Sequence, residues 1–98
     1  MGQATARKGD TDTGHGAYPP RASTGGSGNV FINSTPAHRQ GDAWASHCKT
    51  VKPYDCHGAS TAAGSGTVFV NGKALARVGD AVSCGSSIAS GSGDVFTG

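Results

Sequence analysis

Three side chains of metal-ligating type recur at nearly one offset in this sequence. Each follows a Gly-Asp dipeptide: His15 lies five residues after Asp10, His47 five after Asp42, and Cys84 four after Asp80. Imidazole and thiolate are ligands that zinc takes, four at a time and tetrahedrally where its role is structural. Three related units around an axis would bring these side chains to one ion. A fourth ligand must come from outside the repeated offset, and Cys56-His57 is the source at hand. His47-Cys48 and Cys56-His57 each pose a choice, because adjacent residues on an extended chain point to opposite faces. One member of each pair can face a metal. A Cys48–Cys56 disulfide is the competing reading. Three cysteines, an odd count without an export signal, favour ligands or free thiols over a disulfide framework.

The elements that must position these groups are legible as a repeat. Gly26 to His47 reads GSGNVFINSTPAHRQGDAWASH, and Gly64 to Gly85 reads GSGTVFVNGKALARVGDAVSCG. Val30, Phe31, Ile32 and Asn33 match Val68, Phe69, Val70 and Asn71. Arg39, Gly41 and Asp42 match Arg77, Gly79 and Asp80. Every pair is 38 positions apart, so no gap is needed. Gly91 to Phe96 repeats the opening as GSGDVF, and Ala6 to Asp10 repeats the closing unit at the front. The chain is about three copies of one supersecondary unit, cut out of phase at its termini. Asn71-Gly72 after alternating apolar residues signals a hairpin. The spacing predicts short strands over 29–33, 67–71 and 94–97, and another over 43–47 with Trp44 as apolar cover. His38 follows no Gly-Asp offset and is read as exposed. Asp10, Asp42 and Asp80 are read as turn groups or as groups orienting the ligands.

Composition sets the limits. Leu, Ile, Val and Phe total thirteen of 98 residues, below the roughly 20% at which folding without help becomes doubtful. A small domain so poor in large apolar groups needs a staple such as a metal or a partner. Glycine is the commonest residue, at 17, which suits turns and opposes helix. No window has helical periodicity, so the expected class is all-β. The net charge of +2 comes from scattered basic residues without aromatic interleaving. With no paired C-x-x-C knuckles, a zinc module for nucleic acid is disfavoured. A zinc enzyme is disfavoured too, since four protein ligands close the site and no His-Glu-x-x-His helix exists. Residues 1–98 read as one domain with no appended effector domain, no signal peptide and no transmembrane run.

These motifs resemble the PAAR-repeat family, whose name comes from a Pro-Ala-Ala-Arg motif followed by Gly-Asp. Pro36 to Asp42, PAHRQGD, keeps all but the second Ala; Ala74 to Asp80, ALARVGD, keeps the third Ala, the Arg and the Gly-Asp. The Asn-Gly at 71–72, Gly85 after Cys84 and the terminal GSGDVF also fit the pattern. The resemblance covers nearly the whole chain. It implies a small conical all-β fold of three related short-strand units in pseudo-threefold arrangement, with one zinc near the apex. The family's three-histidine, one-cysteine ligand set, carried onto this chain, gives His15, His47, His57 and Cys84. It further implies a monomeric tip seated on a trimeric β-helical spike, in a phage virion tail or in type VI secretion after cytoplasmic assembly. Transient contact with the target membrane would follow. The compact length leans slightly towards the phage setting.

A blunt trimeric β-helix ends in three exposed strand edges, which are sticky in water. A cap with three related strands can cover all three. The natural base is the most apolar part of each unit: Val30, Phe31, Ile32, Val68, Phe69, Val70, Val95 and Phe96. Alternation would send the valines and Ile32 to one side and the three phenylalanines to the other; which side meets the spike is open at this point.

Overall fold

The computed structural model describes residues 2–98, and among these every regular element is a strand. There are eight: β1 (Gln3–Ala4), β2 (Phe31–Ile32), β3 (Thr35–Pro36), β4 (Ala43–Cys48), β5 (Cys56–Ser60), β6 (Phe69–Val70), β7 (Lys73–Ala74) and β8 (Phe96–Thr97). They form four antiparallel pairs, β1–β8, β2–β3, β4–β5 and β6–β7, in a body measuring 41 × 26 × 22 Å. No helix of the described residues is long and apolar enough to cross a membrane.

The repeat becomes three equivalent hairpins. In β2–β3 the loop is Asn33-Ser34, with φ of 53° and 64°; in β6–β7 it is Asn71-Gly72, with φ of 53° and 78°. Two positive φ angles in a two-residue loop define the type I′ turn, whose twist matches that of the strands. The third hairpin is split across the chain. β8 pairs with β1, and Phe96 stands opposite Ala4 as Phe31 stands opposite Pro36 and Phe69 opposite Ala74. The strands are two residues long, shorter than the predicted spans. The hairpins are instead entered through a serine. The hydroxyls of Ser27, Ser65 and Ser92 accept the amides two and three residues on, with N···O distances of 2.9–3.2 Å. The GSG signature is thus a side-chain turn that takes over backbone groups a longer ladder would have used.

Below the hairpins the three units join in a closed ring. The Ala6 amide donates to the Ala76 carbonyl (3.0 Å), the Ala76 amide to the His38 carbonyl (3.0 Å), and the His38 amide to the Ala6 carbonyl (3.1 Å). All three residues are buried. A flanking set repeats the relation: the amides of Lys8, Gln40 and Val78 donate to the carbonyls of Pro36, Ala74 and Ala4, each at 2.8 Å. Each Arg-x-Gly-Asp unit then turns the chain. The Asp42 carboxylate accepts the Arg39 amide and Nε (both 2.8 Å) and Nη2 (2.9 Å), and Arg7–Asp10 and Arg77–Asp80 repeat this. The aspartates are turn groups, as expected. Gly41 and Gly79 have φ of 90° and 94°, and an added Cβ would meet nothing. Their requirement for glycine is therefore conformational rather than steric.

The apolar core is small and lies in two clusters. One joins Ala6, Trp44, Ala76, Val82 and Ile88; the other joins Ala37, Val70 and Leu75, with Val30 and Ile32 packed on it. Alternation along the repeat strands holds for most positions. Phe31, Phe69 and Phe96 are 53%, 59% and 59% exposed, while Val70 is buried. Val68 departs from it: placed with the other valines, it is 39% exposed. Val30 and Val95, which stand at the same place before β2 and β8, are half-buried.

His38 overturns the expectation of an exposed residue: it is fully buried. It occupies the ring position that Ala6 and Ala76 fill in the other units. Its Nδ1–H donates to the Gly25 carbonyl (2.9 Å), so Nε2 accepts the Thr61 hydroxyl (2.6 Å), which accepts Trp44 Nε1–H (2.8 Å). Every polar atom is satisfied by a neutral ring. Burial pushes the His38 pKa below 6.5, against smaller opposing effects of the Gly25 carbonyl and Asp42. The unfolded chain therefore binds a proton first, and the stability His38 contributes above pH 6.5 is lost as the pH falls below that value. Wild-type protein should lose more denaturant stability on going from neutral to mildly acid pH than His38→Gln. Parallel pH profiles for the two proteins would count against this.

Candidate metal centre

Four segments deliver the candidate ligands. His15 sits in a tight loop closed by reciprocal backbone bonds with Tyr18 (3.0 and 2.8 Å). Gly14 takes a φ of 68° there, and a Cβ on it would stand 2.6 Å from the Tyr18 carbonyl oxygen, so glycine is required. His47 lies on β4 and His57 on β5, directly paired across the strands. Cys84 lies in the turn closed by Val82 and Ser86. The alternation argument sorts both His-Cys pairs: His47 is buried and His57 half-buried, while Cys48 and Cys56 are exposed.

The four side chains converge. His57 Nε2 lies 3.1 Å from His15 Nε2 and 2.7 Å from His47 Nε2, and one ligand atom from each of the four residues falls within 4.8 Å of all the others. Tetrahedral bonds of about 2.0–2.1 Å to nitrogen put ligand atoms about 3.3 Å apart. The imidazoles thus need to part by only a few tenths of an ångström to hold one ion. Their protonation also fits. His47 Nδ1–H donates to the Pro19 carbonyl (2.8 Å), which leaves the Nε2 lone pair pointing inward. Three Nε2 atoms then face one point, where a single N–H on His57 cannot bridge well to both neighbours. A shared cation satisfies all three. Partial burial and the nearby His47, His15 and Arg21 hold His57 below its ordinary pKa, favouring the neutral form that binds metal. Tyr18 covers the imidazoles, with its ring centroid 4.8, 4.9 and 4.3 Å from those of His15, His47 and His57.

The thiol has its own support. Arg21 Nη2 donates to Cys84 Sγ at 2.9 Å, and Arg21 Nε pairs with Asp12 at 3.1 Å, both side chains almost wholly buried. Burial alone would raise the Cys84 pKa, but the Ser86 hydrogen bonds and the Arg21 charge outweigh it and favour the thiolate. Asp12 accepts the Ser86 hydroxyl (2.8 Å) and the amides of Gly14 (3.1 Å) and Arg21 (3.0 Å), and these with the Arg21 charge hold it below the usual carboxylate range despite burial.

Sequence reasoning did not single out Tyr18, Arg21, Asp12 or Ser86. One signal existed. Asp12 stands two residues after Asp10, at the offset where the other units carry Trp44 and Val82. A carboxylate at a core position demands a buried partner. The expectation that the cysteines are ligands or free thiols holds for Cys84 and fails for the other two: Cys48 and Cys56 form a disulfide. They stand directly opposite one another on β4 and β5, with their side chains outward, so pairing geometry decides what an argument from missing export signals could not.

Fold and site together define a class: a small, glycine-rich, all-strand protein in which interlocked repeats gather one histidine-cysteine cluster able to hold a metal ion. The PAAR motif family model matches residues 13–90, and the chain belongs to that family. The family is one of structural spike-tip proteins of phage tails and type VI secretion systems rather than of enzymes, so membership carries a spike-tip type of role. A comparison with curated proteins found no match.

The buried Arg21–Asp12 pair sets an energetic expectation. Arg21→Met leaves Asp12 charged and uncompensated, which should cost about 3–5 kcal/mol. Adding Asp12→Asn should recover part of that loss in denaturant unfolding. Equal losses in the single and double variants would show that the ion pair is not what the substitution disturbs.

Proposed function

We propose that this chain is a zinc-stiffened tip that caps a trimeric β-helical spike in a contractile machine, a phage tail or a type VI secretion system. The observation that carries the reading is the set Phe31, Phe69 and Phe96: one ring per hairpin, each at the same register and each more than half exposed. Exposed apolar groups in a repeated pattern mark an interaction surface. Their threefold repetition suits a partner with three equivalent chains. Burying a phenylalanine contributes about 1.5–3 kcal/mol, so three rings together can offset much of the cost of association. Val68 extends this surface. Val30, Ile32 and Val70 support it from the buried side, Val95 is half-buried, and the closed ring at Ala6, His38 and Ala76 fixes the three hairpins relative to one another.

Zinc is the metal that a three-imidazole, one-thiolate set suits best. His15, His47, His57 and Cys84 would hold it, and its chemistry there is structural, since four protein ligands leave no open position. Structural zinc contributes about 10–16 kcal/mol in small domains, comparable with the whole stability of an ordinary domain. That fits a chain with so little apolar core. The stiffened end would meet the target membrane as the machine fires.

Two measurements test the two halves. Elemental analysis should find one zinc per chain, and removing it by chelation should lower the melting temperature by ten degrees or more; unchanged melting would exclude a structural metal. Phe31→Asp, Phe69→Asp and Phe96→Asp combined should abolish co-purification with the trimeric spike while melting stays near wild type. Retained binding by that variant would place the docking surface elsewhere.

A further inference from the structure

The disulfide stands beside the metal centre in a way the spike-tip role does not explain. His47 pairs with His57 across β4 and β5, and the very next cross-strand pair is Cys48 with Cys56. Two of the four candidate ligands are therefore covalently tied through the residues adjoining them. The rest of this hairpin is held by strand pairing and packing, with no second covalent tie. Its four paired positions are split by a register shift between Trp44 and His47. The loop beyond, residues 49–55, is held by few backbone bonds, among them Lys49 N to the Asp55 carbonyl and Thr50 N to the Ala17 carbonyl. The His57 ring is positioned by its neighbours: its Nε2 meets the other two imidazoles, the Tyr18 ring covers it at 4.3 Å between centroids, and its carbonyl receives a long contact (3.4 Å) from Arg21. His47, by contrast, is fixed through Pro19. The covalent tie between the two strands lies on the adjoining pair, beside His47 and His57. Both cysteines are exposed, so a reductant can reach them.

We propose that the Cys48–Cys56 disulfide is a redox-operated latch on the metal centre, holding His57 against His15, His47 and Cys84 when oxidised and releasing it when reduced. The proposal rests on the zinc reading above. In the reductive step the S–S bond breaks and each sulfur takes a proton. The two electrons come from a dithiol, which closes to its own disulfide, or from a phosphine, which takes an oxygen from water and becomes the phosphine oxide. Exchange with a small-molecule disulfide reverses the step. The latch acts on positioning: Cys48 and Cys56 face away from the ion and tune its affinity through the strand pair. Groups that orient metal ligands in this way typically change affinity 10–100-fold.

The test is Zn2+ affinity of the full chain by competition with a chromogenic chelator, before and after treatment with a phosphine, which avoids the metal binding of dithiols. Reduction should weaken binding at least tenfold. Cys48→Ser with Cys56→Ser should match the reduced protein and no longer respond to the phosphine. Affinities within twofold in the two redox states would overturn the latch while leaving the zinc reading intact; no Zn2+ uptake in either state would overturn both. Co2+ loading supplies a second readout that does not depend on the serine variant. Its thiolate charge-transfer band should report one sulfur ligand in both states, and a gain of a second on reduction would mean that Cys48 or Cys56 is a ligand and not a latch.

Discussion

Three amides, on Ala6, His38 and Ala76, each donate to the next carbonyl until the circle closes. No unit can leave this ring without breaking two bonds at its buried centre, where an unpaired backbone group is costly. Much else depends on it. The hairpins hang on one side of it in the chain, the Arg-Gly-Asp turns follow on the other, and the turns aim the segments that carry His15, His47 and Cys84. A protein with two small apolar clusters cannot rely on side-chain burial to fix such an arrangement. Backbone and turn hydrogen bonding takes over that part, which is why serine, glycine and aspartate recur at fixed positions of the repeat.

The repeat was legible because it is written in backbone chemistry. Arg-x-Gly-Asp marks an ion-paired turn with glycine at a φ of 90° or more, and Asn-Gly marks a two-residue hairpin loop; both need particular residues. The offset from Gly-Asp led to His15, His47 and Cys84; alternation on an extended chain limited each His-Cys pair to one inward member, and the family resemblance supplied the choice of histidine. What stayed hidden depends on contacts between units. His38 and Asp12 are polar residues at positions where sister units carry alanine or an apolar side chain, and each is satisfied by groups distant in sequence: Gly25 and Thr61 for His38, Arg21 and Ser86 for Asp12. Read as breaks in the repeat, both point to a buried polar network; read one by one, they look like surface residues. The disulfide, present in the sequence as the competing reading, was disfavoured for another reason. Compartment was inferred from a lack of export signals, whereas the bond follows from two cysteines facing each other across β4 and β5.

Electrostatically the cluster is prepared for a cation from two sides. Pro19 fixes the His47 tautomer with its lone pair inward. Arg21 and Ser86 favour the Cys84 thiolate, and Asp12 compensates the arginine behind it. The same guanidinium lies 5.9 Å from the centre of the Trp44 ring, so one side chain links the thiol, the carboxylate and the main apolar cluster.

The hairpin made by β8 and β1 brings opposite regions of the chain together, so that a Cβ on Gly2 would stand only 2.5 Å from the Thr97 carbonyl carbon. Topologically the molecule is nearly a circle with a nick in one of three equivalent arms. Any polypeptide joined upstream or downstream would exit through that single seam, next to the Phe96 ring and not beside the histidines.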